Sequence, residues 1–143
     1  MTKDADPGRR RADAQRLAEL AASGARAQAE AAQREIDAFV AELGRRGVPP
    51  EPLRARLLNG TSVRTDRVGW YLNAARSIAI GPGGEYYQLT VPGAPLARLK
   101  GVSVPAAQPV LVIARGGRDG ESGDLRDFLS RALAAYSSAE PRP

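Results

Sequence analysis

The chain of 143 residues contains no cysteine and no histidine. Their joint absence removes disulfide frameworks, thiolate and imidazole metal sites, a cysteine nucleophile and a histidine general base from the chemistry open to it. Aromatic residues are scarce at 5%. No run of about 18 apolar residues occurs, so no membrane span is expected. The first residues are charged and lack the apolar segment of a secretory signal, which makes a cytoplasmic location the default expectation. No cofactor is expected either. The remaining composition, 43% hydrophobic and 26% charged, is that of a globular protein with a substantial core.

The charge balance of +5 first suggests a polyanion partner. It is spread along the chain, however, with no basic block beyond Arg9-Arg10-Arg11. Only Lys3 and Lys100 are lysine, so the basic character is almost wholly arginine.

Residues 12–46 are rich in Ala, Gln, Glu, Arg and Leu and contain no proline, which predicts a long helix. Ala18, Ala22, Ala25, Ala29, Ala32, Ile36, Phe39 and Leu43 recur at alternating steps of four and three, the spacing of a coiled-coil seam. Gly24 is a candidate break. Alanines allow close helix approach but bury little area, whereas Ile36, Phe39 and Leu43 can anchor a core. The second half is therefore expected to dock on the domain and the first half to project or pack on another helix. Gly44 to Pro50 ends the helix. A short second helix is predicted from Glu51, with Leu53, Leu57 and Leu58 on one face and Asn59-Gly60 as its stop.

From Val68 the period switches to two: Val68, Trp70 and Leu72, then Ile78 and Ile80, then Tyr87, Leu89 and Val91. Gly81-Pro82-Gly83-Gly84 provides a turn, and the pattern predicts an antiparallel meander of four to five strands with one apolar and one polar face. The apolar face carries Trp70, Ile78, Ile80, Tyr87 and Leu89, the polar face Tyr71, Asn73, Ser77, Tyr86, Gln88 and Thr90. Leu96 to Val104 is expected to hold one or two short strands. Val110 to Ala114 is expected in the sheet interior, and Asp124 to Tyr136 as a last helix capped by Asp124. The fold class is thus α+β, with a lead-in at 1–11, a helical hairpin at 12–60, an α+β domain at 66–136 and a tail at 137–143.

Three functional readings follow. The first is a non-enzymatic interaction or self-association module binding a protein partner or a second copy through the seam Ala18, Ala22, Ala25, Ala29 and Ala32. The second is nucleic-acid contact through Arg9, Arg10, Arg11, Arg45, Arg46, Arg54 and Arg56, with the two predicted helices as a loose helix-turn-helix. The third is a ligand or anion loop between a strand and a helix, with Arg118, Asp119, Glu121, Ser122 and Asp124 as its side chains. Its three carboxylates oppose a phosphate, and no phosphate-loop string is present.

Overall fold

The computed structural model describes residues 6–93, 96–113 and 122–138. It begins with helix α1, Pro7–Arg45. Asp6 caps it by accepting from the Gly8 N–H at 3.0 Å, and Pro7 occupies the first turn, where a missing N–H costs nothing. The helix therefore starts inside the stretch expected to be a lead-in. It runs unbroken through Gly24, whose surroundings are open. Its C-terminus closes with the Val48 N–H donating to the Leu43 carbonyl, with Gly47 in the left-handed region.

The expected second helix is instead a strand, β1, Glu51–Leu57. Leu53, Ala55 and Leu57 are buried at period two, while Arg54 and Arg56 face out. Asn59-Gly60 is the tip of a hairpin rather than a helix stop, with the Gly60 N–H donating to Leu57 O and the Leu57 N–H to Thr61 O. The hairpin leads into β2, Ser62–Tyr71, which starts six residues before the expected Val68. Strands β3, Ile78–Ile80, and β4, Tyr86–Gln88, follow as an antiparallel meander, and β5 is Thr90–Val91.

The sheet order is β4-β3-β2-β1-β5, with β5 parallel to β1. The two edge strands are thus consecutive pieces of one segment, separated only by Leu89. The Leu89 N–H donates to Ser77 O beside β3, and its carbonyl accepts from the Arg56 N–H of β1, so the sheet rolls closed on itself. Closure explains why both faces are buried. The inner cluster holds Leu53, Ala55, Leu57, Val63, Ala79, Tyr87, Leu89, Ala97 and Val104. The outer cluster joins Trp70, Leu72, Ile78, Ile80 and Tyr86 to Ile36, Phe39 and Leu43 of α1 and to the last helix, α3, Leu125–Ser138. Tyr86 is therefore core, not part of a polar face, and Val68, expected in the apolar set, is 44% exposed. Phe39 meets Trp70 edge to face at 6.4 Å, and Trp70 Nε1 donates to Pro49 O.

Two further expectations change. Within Leu96 to Val104 the structure has a one-turn helix, α2, Ala97–Lys100, and a single bridge from Thr65 to Val102 in place of strands. Of the apolar run at 110–114, Ala114 lies outside the described residues, and Val112–Ile113 form β6, which pairs with β7, Gly123–Asp124, apart from the main sheet. The outer edge of β4 is taken instead by Ala107, whose N–H donates to Tyr86 O at 2.8 Å, and Val112 is 62% exposed. Asp124 directly precedes α3, and its backbone also ends β7. Overall the molecule is α+β: a long N-terminal helix, a mostly antiparallel five-stranded sheet and a C-terminal helix. No helix among the described residues is long and apolar enough to cross a membrane.

Candidate binding surfaces

Helix α1 divides into two parts. Ala32, Ile36, Phe39 and Leu43 are buried against the sheet and α3, and Gln33 Nε2 fastens the edge of this region by donating to Gly84 O at 2.8 Å and Asp37 Oδ1 at 2.9 Å. Gly84 needs its left-handed φ of 87° at that turn, and a side chain there would collide with Gln33 and Asp37. Every residue from Asp6 to Gln28, by contrast, is exposed. At about 1.5 Å per residue, Pro7 to Gln28 extends about 33 Å beyond the domain.

Of the expected seam, Ala32 is buried, Ala29 is half-buried, and Ala18, Ala22 and Ala25 lie exposed along the projecting part. The largest apolar groups there are not on that seam. Leu17 is 67% and Leu20 63% exposed. At about 100° per residue they stand roughly 100° and 160° around the helix from Ala18. Between residues 14 and 25 they widen the alanine stripe, with Ala14, Ala21 and Gly24, into a broad apolar arc opposite Gln15, Arg16, Glu19 and Ser23, while Arg10, Arg11, Asp13 and Gln28 interrupt that arc toward its two ends. Sequence reasoning missed the leucines because it extended the docked stripe along the helix. Their volume was the available signal.

The charges of α1 are segregated as well. Five arginines, Arg9, Arg10, Arg11, Arg16 and Arg26, face two carboxylates, Asp13 and Glu19, in the projecting part. In the docked part from Ala29 to Leu43 four carboxylates, Glu30, Glu35, Asp37 and Glu42, face Arg34 alone. No acid occupies the first turn, so the arginines there oppose the helix dipole rather than offset it.

The arginines proposed for nucleic acid do not converge. Arg9 to Arg11 occupy the free end of α1, and Arg45 and Arg46 the opposite end, on the order of 50 Å away along the helix. Both of the latter bond Glu42, whose carboxyl they hold below its ordinary range. Arg54 and Arg56 lie on the outer face of β1, where Arg54 bonds Ser62 and stands directly across from Arg64. Of the loop residues, Arg118, Asp119 and Glu121 lie outside the described residues, while Ser122 and Asp124 are exposed. Among the described residues no cluster of acids could hold a metal ion, and no polar or charged residue is fully buried.

A surface that sequence reasoning did not foresee lies where the turn after β2 meets α3. It is a cleft of about 450 Å³ floored by Leu72, Phe128, Ala132 and Ala135. Asn73 shapes the turn by accepting from the Ser77 and Ile78 N–H groups. This leaves Arg76 with φ 57°, a left-handed conformation that costs a residue other than glycine on the order of 1 kcal/mol. Its guanidinium lies 5.0 Å from the Tyr71 ring centroid, and that of Arg131 lies 4.8 Å from the Phe128 ring centroid. The Tyr136 hydroxyl accepts from the Tyr71 N–H at 3.0 Å. Burial first, then the Glu51 carboxylate, push this hydroxyl up to about 12. Tyr71 and Asn73 belong to the polar face that the strand pattern predicts, with Arg76 near its edge; what the sequence does not mark is that α3 brings Arg131 against them.

Comparison of the chain with protein-family models, with curated proteins and with solved structures finds no match in any of the three.

Proposed function

We propose that the protein is a non-enzymatic self-association module acting in the cytoplasm, in which the projecting part of α1 pairs antiparallel with that of a second copy. The observation that supports this most is the projection itself: an amphipathic helix stretch of about 33 Å whose Leu17 and Leu20 none of the described residues covers. An isolated helix of this length is only marginally stable unless its apolar face is packed.

Charge selects a second copy and an orientation. Parallel pairing would stack Arg9 to Arg11 of one chain on the same residues of the other. An antiparallel pair centred between Glu19 and Leu20 puts Arg9 level with Glu30 of the second copy. It also gathers both copies of Leu17 and Leu20 near the two-fold axis, as a self-complementary interface requires. Gly24, on the leucine side, permits close approach of the two backbones.

Because the chain lacks cysteine, engineered cross-links report on this pairing directly. Under mild oxidation an Ala14→Cys variant mixed with an Ala25→Cys variant, two positions that lie within the arc and come level in this register, should give a covalent dimer between the two, and Ala14→Cys alone should give little. The reverse pattern would establish a parallel pair, and no cross-linking in either case would remove the self-association reading.

A further inference from the structure

We infer that the cleft between the β2–β3 turn and α3 binds a small monocarboxylate with an apolar body, gripped by Arg76 and Arg131. This site is remote from the projecting helix and independent of self-association.

Three properties of the cleft carry the inference. Its size lies within the range of small-molecule sites, about 300–1,000 Å³, and its floor of Leu72, Phe128, Ala132 and Ala135 suits an apolar body. Two guanidiniums line it, and among the described residues neither has a carboxylate within ion-pair distance. Each lies near an aromatic ring, Arg76 near Tyr71 and Arg131 near Phe128, an arrangement that restrains a guanidinium while leaving N–H donors for an oxyanion. The Tyr136 hydroxyl, whose oxygen already accepts from Tyr71, retains its own proton to donate.

The third property is the backbone at Arg76. A left-handed conformation at an arginine is strain that glycine would relieve, and strain of this kind gathers at binding sites, where the surrounding structure holds it in place. The charge count sets the ligand class. Two guanidiniums against Glu51 at the same cleft leave an excess of one positive charge, which matches a carboxylate better than a phosphate dianion.

Benzoate is the probe, followed by NMR on the full chain labelled with ¹⁵N, with benzamide as its neutral isostere and phenyl phosphate as the dianion. The expected result is saturable shifts of the amides from Asn73 to Ser77 and from Arg131 to Tyr136 with benzoate, weaker binding of phenyl phosphate and none of benzamide. Arg131→Gln should weaken benzoate binding by about tenfold or more, the loss of one charge-assisted contact. Arg76→Gly should weaken it likewise while the fold is retained, because φ 57° suits glycine. Absence of saturation, equal shifts with benzamide, or unaltered binding by Arg76→Gly would overturn the site. Tighter binding of phenyl phosphate would overturn the assignment to a carboxylate.

Discussion

The two parts of α1 share one unbroken helix and a continuous apolar stripe, yet one is core and the other stands in water. The difference is side-chain volume. Ile36, Phe39 and Leu43 fill the space between the closed sheet and α3, whereas at equivalent positions nearer the N-terminus Ala18, Ala22 and Ala25 have nothing to fill. Periodicity says which way a helix face points, and volume says whether a core can be built on it. The projecting part keeps its two leucines away from the docked stripe, and its arginines sit where they disfavour the helix end they occupy. Both features cost an isolated chain and become useful when a second helix lies alongside.

The largest test of the contrast is a cavity. Phe39→Ala should destabilise the fold by about 3–5 kcal/mol in chemical denaturation, because Phe39 is buried and packs on Trp70. Leu17→Ala, the same kind of truncation on the projecting part, should change the stability of the dilute monomer by no more than about 0.5 kcal/mol. Equal losses would show that the projecting part is covered within its own chain.

A smaller effect separates the helical layer by pH. Tyr136 keeps its proton up to about 12 in the folded protein, against 10.0 ordinarily, chiefly through burial. The unfolded chain therefore releases this proton first as pH rises. The stability tied to it is whole below pH 10 and disappears as pH climbs through about 12. Tyr136→Phe should flatten the decline of stability in that window, at a cost of about 1 kcal/mol at neutral pH for the lost acceptor of the Tyr71 N–H.

How much of this was legible in the sequence depended on whether local pattern or distant closure decided an element. Helix α1 past its first turns, the β3–β4 meander and the apolar face of α3 follow from local periodicity. So does the burial of Trp70, Ile78, Ile80, Tyr87 and Leu89. Strand β1 was misread as a helix because Leu53, Leu57 and Leu58 satisfy a helical face while Leu53, Ala55 and Leu57 satisfy a strand, and only pairing with β2 decides between them. The return of residues 86–91 from β3 to β1 is a long-range event with no local mark. The burial of Tyr86 is equally non-local, since it packs in the cluster that α1 and α3 complete. Of the candidate sites, the projecting helix was legible in its length and its position. The leucine arc was not, and the Arg76 cleft depends on a turn conformation that a residue list does not encode.

The smallest expected effect falls on Gly24. An added methyl there meets nothing within 4 Å, and alanine favours the helix by about 1 kcal/mol over glycine. Gly24→Ala should raise hydrogen-exchange protection around residues 20–28 without changing the global midpoint, since that part is not coupled to the core. If the global stability rose instead, the two parts of α1 would form a single cooperative unit.

Sedimentation equilibrium of the full chain beside the Leu17→Gln/Leu20→Gln double variant tests the self-association reading most directly. The natural sequence should reach twice the 15.1 kDa chain mass as concentration rises, and the variant, equally folded by circular dichroism, should stay at the chain mass. A natural chain that remains monomeric across the range, or a variant that dimerises as well as the natural sequence, would contradict it.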